Sequence, residues 1–228
     1  MITITALKWV PSFPRGQVRD HRLRWVLKEV GWDYRVELID PQVQESKDYR
    51  REQPFGQVPV LREDGRPTLF ETGAIVLDIA QRSGRLLPAD ESARAWAVCW
   101  LFAALNSVEP ELMEVATCDF FIEDEEVAKG YRAFAVAAAG DRLRKVSEAL
   151  GDRDWLVGED FSVADLMMAS AMKIVRHTDL VEAHPNLAAW RGRCFARPAH
   201  EAATAEQLAD FDRHGPADMG WDQSLGRE

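Results

Sequence analysis

The spacing of apolar residues changes once along this chain, near residue 86, and the change separates two parts of different structural class. Before it, short segments that alternate apolar and polar residues stand between segments of helical spacing. Beyond it, apolar residues recur almost only at helical intervals, as Phe134, Ala138, Leu143 and Val146 do. The sequence therefore predicts an α/β domain followed by an all-α domain.

Turn-forming and polar residues set the predicted boundaries of these parts. The first domain occupies residues 1–84, where Gly84 closes the last helix, and residues 85–90 form a linker. The helical domain occupies residues 91–212. Residues 213–228 are polar and rich in glycine, which predicts a mobile C-terminal tail.

Four strands and two helices are predicted in the first domain. The strands lie at residues 2–8, 34–39, 58–62 and 68–70, with an Asp-Gly turn between the last two. The first helix carries an apolar stripe from Leu23 to Val30 and ends at Gly31, and the second begins near Ala74. The predicted order is β-α-β, a connection without a clear pattern, and β-β-α.

The net charge of −10 is concentrated in the second part of the chain. Residues 1–85 carry 14 Lys and Arg against 12 Asp and Glu, whereas residues 86–228 carry 14 against 26. Binding to a nucleic acid requires a basic face that neutralises phosphates. The charge distribution therefore excludes nucleic acid as a partner, and the slightly basic first part suits a small anion.

Three further properties bear on location and cofactors. No apolar run approaches the roughly 20 residues of a membrane span, and the N-terminal residues lack the pattern of a secretory signal. Cys99, Cys118 and Cys194 are widely spaced, and the five histidines have no metal-ligand spacing. The sequence thus predicts a cytoplasmic protein with no metal site, no disulfide framework and no membrane contact.

Two short segments of the first domain have the features of an anion-binding pocket. Gln57-Val58-Pro59 leads into a strand, and Glu71-Thr72 opens an amphipathic helix. The start of a helix offers backbone N–H groups without intrahelical partners, and its dipole favours negative charge. The pair of segments predicts a pocket for a small ligand that carries a carboxylate.

The helical part contains one sharp local motif, which begins at Phe161. Ser162 and Asp165 have the spacing of a capping box, and Phe161 and Leu166 that of a hydrophobic staple. We assign this motif to folding and not to catalysis.

Together these motifs resemble the glutathione S-transferase superfamily over residues 1–200. The resemblance is carried by the order and spacing of four features: Val58-Pro59, the Asp64-Gly65 turn, Glu71-Thr72 and the capping box. Trp9-Val10-Pro11 with Val18-Arg19-Asp20 is similar to the bacterial members. The resemblance to the superfamily implies a thioredoxin-like first domain of order β-α-β-α-β-β-α, a helical second domain, glutathione as co-substrate and a homodimer.

The resemblance also implies roles for individual residues at the pocket. Pro59 is expected to follow a cis peptide bond, and the backbone of Val58 to pair with the cysteinyl residue of glutathione. Thr72 and the helix start are expected to hold the γ-glutamyl carboxylate, while Glu71 faces the ammonium group. Gln57 is expected to contact the glycyl end.

The resemblance leaves the activating group for the glutathione thiol open. In many relatives a hydroxyl or thiol near the start of the first helix stabilises the thiolate, but Asp20 occupies that position here. A carboxylate beside a thiolate would raise the pKa of the thiol, which is the wrong direction. Ser12 is the best-placed hydroxyl and our candidate catalytic residue, with Arg15 and Arg19 as cationic alternatives. No cysteine lies in this loop, which disfavours the thiol-transferase branch of the family.

These observations predict a glutathione transferase that conjugates or otherwise processes a small hydrophobic electrophile. One alternative is a non-catalytic glutathione-binding or protein-interaction module of the same fold, which the departure at Asp20 favours. A second is a glutathione-dependent isomerase or dehalogenase, although the loop lacks the Ser-rich pattern of the isomerase branch.

Overall fold

The computed structural model describes residues 1–221, which form two units. The first unit is built around a three-stranded sheet. Its order is β2-β1-β3, with β1 at Ile2–Leu7, β2 at Tyr34–Ile39 and β3 at Leu61–Glu63. β2 is parallel to β1 and β3 is antiparallel to it. The predicted fourth strand at 68–70 is reduced to one bridge between Leu69 and Leu61.

Four helices of the first unit connect and follow these strands: α1 (Asp20–Val30), α2 (Pro41–Glu45), α3 (Lys47–Glu52) and α4 (Thr72–Ser83). α1 ends as predicted at Gly31, whose left-handed backbone lets its N–H bond to the carbonyls of the last turn. The connection between β2 and β3, whose sequence shows no clear pattern, contains α2 and α3. Asp40 and Ser46 cap these two short helices by accepting hydrogen bonds from first-turn N–H groups.

The second unit, Gly84–Arg197, is helical throughout its regular structure. Its helices are α5 (Glu91–Ala103), α6 (Glu109–Phe120), α7 (Glu125–Leu150), α8 (Val163–Met172) and α9 (Pro185–Phe195). A π-helical segment, Ala104–Val108, joins α5 to α6. The predicted α/β and all-α classes are therefore both confirmed. No helix among residues 1–221 is long and apolar enough to cross a membrane.

The predicted capping box of α8 is confirmed and extended by the structure. The buried carboxylate of Asp165 accepts hydrogen bonds from the backbone N–H and hydroxyl of Ser162, both at 3.0 Å. It also accepts from the N–H of Leu156 at 2.8 Å and from the indole of Trp190 at 2.9 Å. Asp165 thus links three segments of the second unit as well as closing one helix start.

The last helix, α10 (Pro198–Asp212), packs in the first unit, whereas the predicted helical domain extends over residues 91–212. Helical periodicity cannot show this assignment, because it depends on side-chain pairing between α10 and α1 across more than 180 positions. Of the predicted tail at 213–228, Pro216–Met219 form a 3₁₀ turn with Met219 buried. Residues 222–228 lie outside the described part of the chain.

Candidate functional site

The segment around Val58 presents a backbone edge that the protein itself leaves open. The Val58–Pro59 peptide bond is cis, and both side chains are buried. Among residues 1–221, neither the N–H nor the C=O of Val58 has a hydrogen-bond partner. An open N–H and C=O on one residue can accept an extended ligand in the way that a sheet edge accepts another strand.

A directional chain of hydrogen bonds fixes the residues on both sides of this edge. The N–H of Val60 donates to Thr5 Oγ1 at 2.8 Å, and the hydroxyls of Thr5 and Tyr49 are 2.9 Å apart. Tyr49 Oη donates its one proton to the carbonyl of Gln57 at 2.7 Å, so Thr5 must be the donor to Tyr49. The backbone is thereby held at Gln57 and at Val60, directly before and after the open residue and its proline.

Substitution of Tyr49 by Phe is expected to loosen this edge. It removes the donor to the Gln57 carbonyl and the acceptor of the Thr5 hydroxyl, at a cost of about 1–3 kcal/mol in free energy of unfolding. We expect affinity for glutathione, measured by calorimetric titration, to fall by about five- to tenfold. Tyr34→Phe is the control, because it removes a Tyr hydroxyl that donates to Glu206 elsewhere in the same unit. Equal affinities for both variants would contradict the positioning role.

The second half of the predicted pocket lies at the start of α4. Glu71 has φ of 68°, a left-handed conformation that is unfavourable for a residue with a Cβ and that is often found at functional sites. Its side chain is exposed. Thr72 is buried as the first residue of α4, whose first-turn N–H groups have no intrahelical acceptors.

A buried guanidinium stands behind the Thr72 hydroxyl. Arg22, on α1, donates from Nη1 to Thr72 Oγ1 at 3.3 Å. A hydroxyl that accepts this bond keeps its own proton for donation to an anion. The positive charge of Arg22 and the dipole of α4 both favour a carboxylate at this point.

The loop between β1 and α1 holds the candidate catalytic hydroxyl. Ser12 is exposed in a turn, where its carbonyl accepts from the N–H of Arg15 at 3.2 Å. Its hydroxyl has no hydrogen-bond partner among residues 1–221, so it can donate to a bound ligand. Arg15 is instead engaged by the Val10 carbonyl and by Asp212, and its guanidinium lies 5.8 Å from the ring centroids of Trp9 and Phe211. Arg19 is exposed immediately before α1.

The structure corrects the expectation that the Asp20 carboxylate faces the thiol. Asp20 is fully buried on α1, where it accepts from Arg24 Nε at 2.8 Å and from Gln207 Nε2 at 2.7 Å. Burial raises the pKa of Asp20, and the charge of Arg24 and these hydrogen bonds oppose the shift. The carboxylate is committed to the contact between α1 and α10, which removes the main objection to thiolate formation in the loop.

The structure thus places all six predicted site residues in the first unit and adds three supporting residues that sequence reasoning missed. Thr5 and Tyr49 support the Val58 edge, and Arg22 supports Thr72. Arg22 carries no distinguishing signal, since a charged residue on a helix is ordinary. Among residues 1–221 no group of His, Cys, Asp and Glu is arranged to hold a metal ion.

Two stretches of the chain match known protein families. Residues 14–81 match the family described as the N-terminal domain of glutathione S-transferase, and residues 111–198 match the corresponding C-terminal domain. Glutathione S-transferase F14 of Arabidopsis thaliana is 31% identical over 195 residues, which cover 76% of this chain and 74% of the relative. The chain belongs to the glutathione S-transferase family.

Two further relatives of this transferase-family chain show the breadth of the resemblance. A disulfide-bond oxidoreductase of Escherichia coli K12, YfcG, is 26% identical over 208 residues, which cover 83% of this chain and 92% of the relative. A glutathione transferase from Burkholderia graminis, solved with two glutathione molecules per subunit, has a TM-score of 0.77 at 22% identity. That match covers 89% of this chain and 87% of the neighbour and shows the shared fold.

Proposed function

We propose that this family member binds glutathione in its first unit and directs the glutathione thiol at a small hydrophobic electrophile. The observation that carries the proposal is the open N–H and C=O of Val58, held in place between the anchored residues Gln57 and Val60. Such an edge fits the extended backbone of a tripeptide. The presence of glutathione in the Burkholderia graminis neighbour supports this choice of ligand.

The charged end of glutathione finds its complement at the start of α4. The γ-glutamyl carboxylate is bound by the Thr72 hydroxyl and the first-turn N–H groups of α4, with Arg22 behind them. The ammonium group of the γ-glutamyl residue pairs with the exposed carboxylate of Glu71. The exposed side chain of Gln57 contacts the glycyl end. The side chains of Glu71 and Gln57 are exposed in the described protein, whereas Thr72 is buried.

The chemistry requires the thiolate form of glutathione. A free thiol with a pKa of about 8.5 is only a few per cent ionised at neutral pH, and a shift of about two units needs roughly 2.7 kcal/mol. The hydroxyl of Ser12 donates a hydrogen bond to the thiolate and supplies part of this energy. The sulfur then attacks an electrophilic carbon, a carbon–sulfur bond forms, and the leaving group departs with its electron pair.

The rival proposal is a glutathione-binding module without catalysis. Its support is that Ser12 is exposed and lies in an irregular turn, where water competes for its hydrogen bond. In both cases we expect a cytoplasmic homodimer, as is usual in this family.

Glutathione affinity, thiol pKa and turnover, measured on one set of variants, separate these proposals. For the transferase we expect saturable binding and a bound-thiol pKa about two units below its free value, read from thiolate absorbance in the ultraviolet. Ser12→Ala should return the pKa towards its free value and lower kcat/KM by about 10- to 100-fold, while the Kd for glutathione at neutral pH rises by only about a few-fold, as loss of the thiolate stabilisation requires. Thr68→Ala, which removes another exposed hydroxyl of the first unit, is the control.

The other outcomes are equally informative. Tight binding with an unshifted thiol pKa would support the module. A depressed pKa that survives Ser12→Ala would remove Ser12 from the catalytic role. Absence of glutathione binding would overturn both proposals.

A further inference from the structure

The loop that carries Ser12 is bound to the last elements of the first unit. This loop, residues 8–19, joins β1 to α1 and contains no helix or strand. α10 and the residues after it contact the loop through three pairs: Arg15 with Asp212, Val18 with Gln207, and Trp9 with Trp221. The candidate catalytic loop is therefore held by residues from the other end of the sequence.

Arg15 makes the central contacts of the loop. Its Nε donates to the Val10 carbonyl at 3.2 Å, and its backbone N–H donates to the Ser12 carbonyl at 3.2 Å. Its guanidinium lies 5.8 Å from the centroid of each of two buried rings, those of Trp9 and Phe211. Arg15 thus closes this segment into a turn that has Ser12 inside it.

The fork of the guanidinium joins this turn to α10. While Nε binds the Val10 carbonyl, Nη1 donates to Asp212 Oδ1 at 2.9 Å. The side chain of Asp212 is 69% exposed, and an ion pair this exposed contributes little to the free energy of folding. Two bonds from a rigid, planar fork instead fix a direction. The arrangement therefore suits positioning better than stabilisation.

Direction matters for a hydroxyl that donates to a thiolate. A hydrogen bond weakens steeply as the donor, proton and acceptor depart from a line. Ser12 is exposed in an irregular turn, so its backbone has to be held in place before its hydroxyl can point steadily at one sulfur. The contacts of Arg15 on both sides of the turn supply this constraint.

We propose that Arg15 is a positioning residue for the Ser12 hydroxyl and that α10 keeps Arg15 in place through Asp212 and Phe211. The inference rests on the proposed function, in which Ser12 donates to the glutathione thiolate. Arg15 acts on the thiolate only through Ser12. This role differs from a direct cationic role, in which the charge of Arg15 would itself stabilise the thiolate.

The pKa of the bound glutathione thiol, read from thiolate absorbance, tests Arg15→Met. Methionine keeps an unbranched side chain between the two rings but donates no hydrogen bond. We expect the thiol pKa to rise by about one unit and kcat/KM at neutral pH to fall by about three- to tenfold. Affinity for S-methylglutathione should stay within about twofold of the parent. Arg82→Met is the control, because Arg82 also pairs with a carboxylate and lies 5.0 Å from the ring centroid of Trp32.

Two comparisons separate positioning from charge. Arg15→Met should cause no further rise of the thiol pKa in a chain that already carries Ser12→Ala, because the two residues act as one unit. Arg15→Lys keeps the charge but replaces the fork by a single nitrogen, so it should resemble Arg15→Met. Asp212→Asn keeps an oxygen acceptor for Arg15 and should leave the thiol pKa unchanged, whereas Asp212→Ala should raise it.

Hydrogen exchange without glutathione measures the order of the loop itself. The N–H groups of Arg15 and Gln17 donate to the carbonyls of Ser12 and Pro14, at 3.2 and 3.0 Å. Arg15→Met should speed the exchange of these two amides by about tenfold, with the amides of β1 unchanged. Unchanged exchange in the loop would contradict the positioning role.

The outcomes distinguish this inference from the proposed function. A thiol pKa that rises in Ser12→Ala but not in Arg15→Met would overturn the inference and leave the proposed function intact. A parent-like pKa in Arg15→Lys, or a further rise when Arg15→Met is added to Ser12→Ala, would assign a direct role to the charge. A bound thiol whose pKa is not lowered in the parent, or not raised by Ser12→Ala, would overturn the role of Ser12 and that of Arg15 with it.

Discussion

Substitution of Arg24 by Met is expected to destabilise the first unit by about 3–5 kcal/mol, the range for removal of one partner from a buried ion pair. The Arg24 side chain is fully buried on α1. Its guanidinium donates to Asp20 at 2.8 Å, to Asp210 at 2.7 Å and to Glu206 at 3.2 Å. One cation therefore joins α1 to three carboxylates, two of them on α10.

The size of the effect follows from what the substitution leaves behind. Methionine fills much of the volume, but Asp20 and Asp210 remain buried, and Asp20 loses its charge partner. A buried carboxylate must then either remain charged at high cost or take up a proton. We expect α10 to separate from α1 more often, because α10 supplies Asp210, Glu206 and Gln207 to this cluster.

Hydrogen exchange of the amides in α1 and α10 measures the loss of stability caused by Arg24→Met. It reports on the first unit alone, although the chain has two units. Arg66→Met is the control, since Arg66 is 41% exposed and its pairs with Glu63 and Asp78 are worth less than about 1 kcal/mol. Addition of Asp20→Asn and Asp210→Asn to Arg24→Met should recover part of the loss. A loss below about 1 kcal/mol for Arg24→Met would show that water replaces the guanidinium.

The elements that could be predicted from sequence are those whose information is local. The strands at 2–8 and 34–39, the stripe of α1 and the Ser162–Asp165 capping box all depend on residues a few positions apart. Periodicity does not reveal the short helices α2 and α3, because each is too brief, and only the resemblance implies a helix between β2 and β3. Their capping residues do carry a readable signal, since Asp40 precedes Pro41 at the first helical position.

Elements that depend on distant pairing could not be predicted. The strand at 68–70 has suitable residues, but only Leu69 pairs with Leu61. The assignment of α10 to the first unit depends on Arg24 and Gln207, which no periodicity connects. Asp20 was misjudged for the same reason, because its partner Gln207 lies 187 positions away.

Parts of the candidate site that are contiguous in sequence could be predicted, whereas the residues that support them from other elements could not. Val58-Pro59 and Glu71-Thr72 are contiguous pairs, so the sequence could present them as parts of a pocket. Tyr49 and Arg22 support those pairs from other elements, and their roles follow only from hydrogen-bond geometry.

Substitution of Thr72 by Val is expected to produce the largest loss of glutathione affinity among single changes at the site. Valine keeps the shape of threonine but cannot donate to a carboxylate, and a hydrogen bond to a charged group contributes about 1.5–3 kcal/mol. The Kd for glutathione should therefore rise by about 10- to 100-fold. Arg22 would also lose the Thr72 hydroxyl as an acceptor at 3.3 Å.

Calorimetric titration with glutathione and with S-methylglutathione makes this test specific to binding. Thr72→Val should weaken both ligands equally, because the lost contact is to the γ-glutamyl carboxylate and not to sulfur. Ser12→Ala should leave the affinity for S-methylglutathione unchanged, since a thioether has no thiolate to stabilise. Thr72→Ser, which restores the hydroxyl, should bind within about threefold of the parent. Should Thr72→Val bind both ligands as the parent does, the carboxylate is held elsewhere, and the α4 start is excluded as its site.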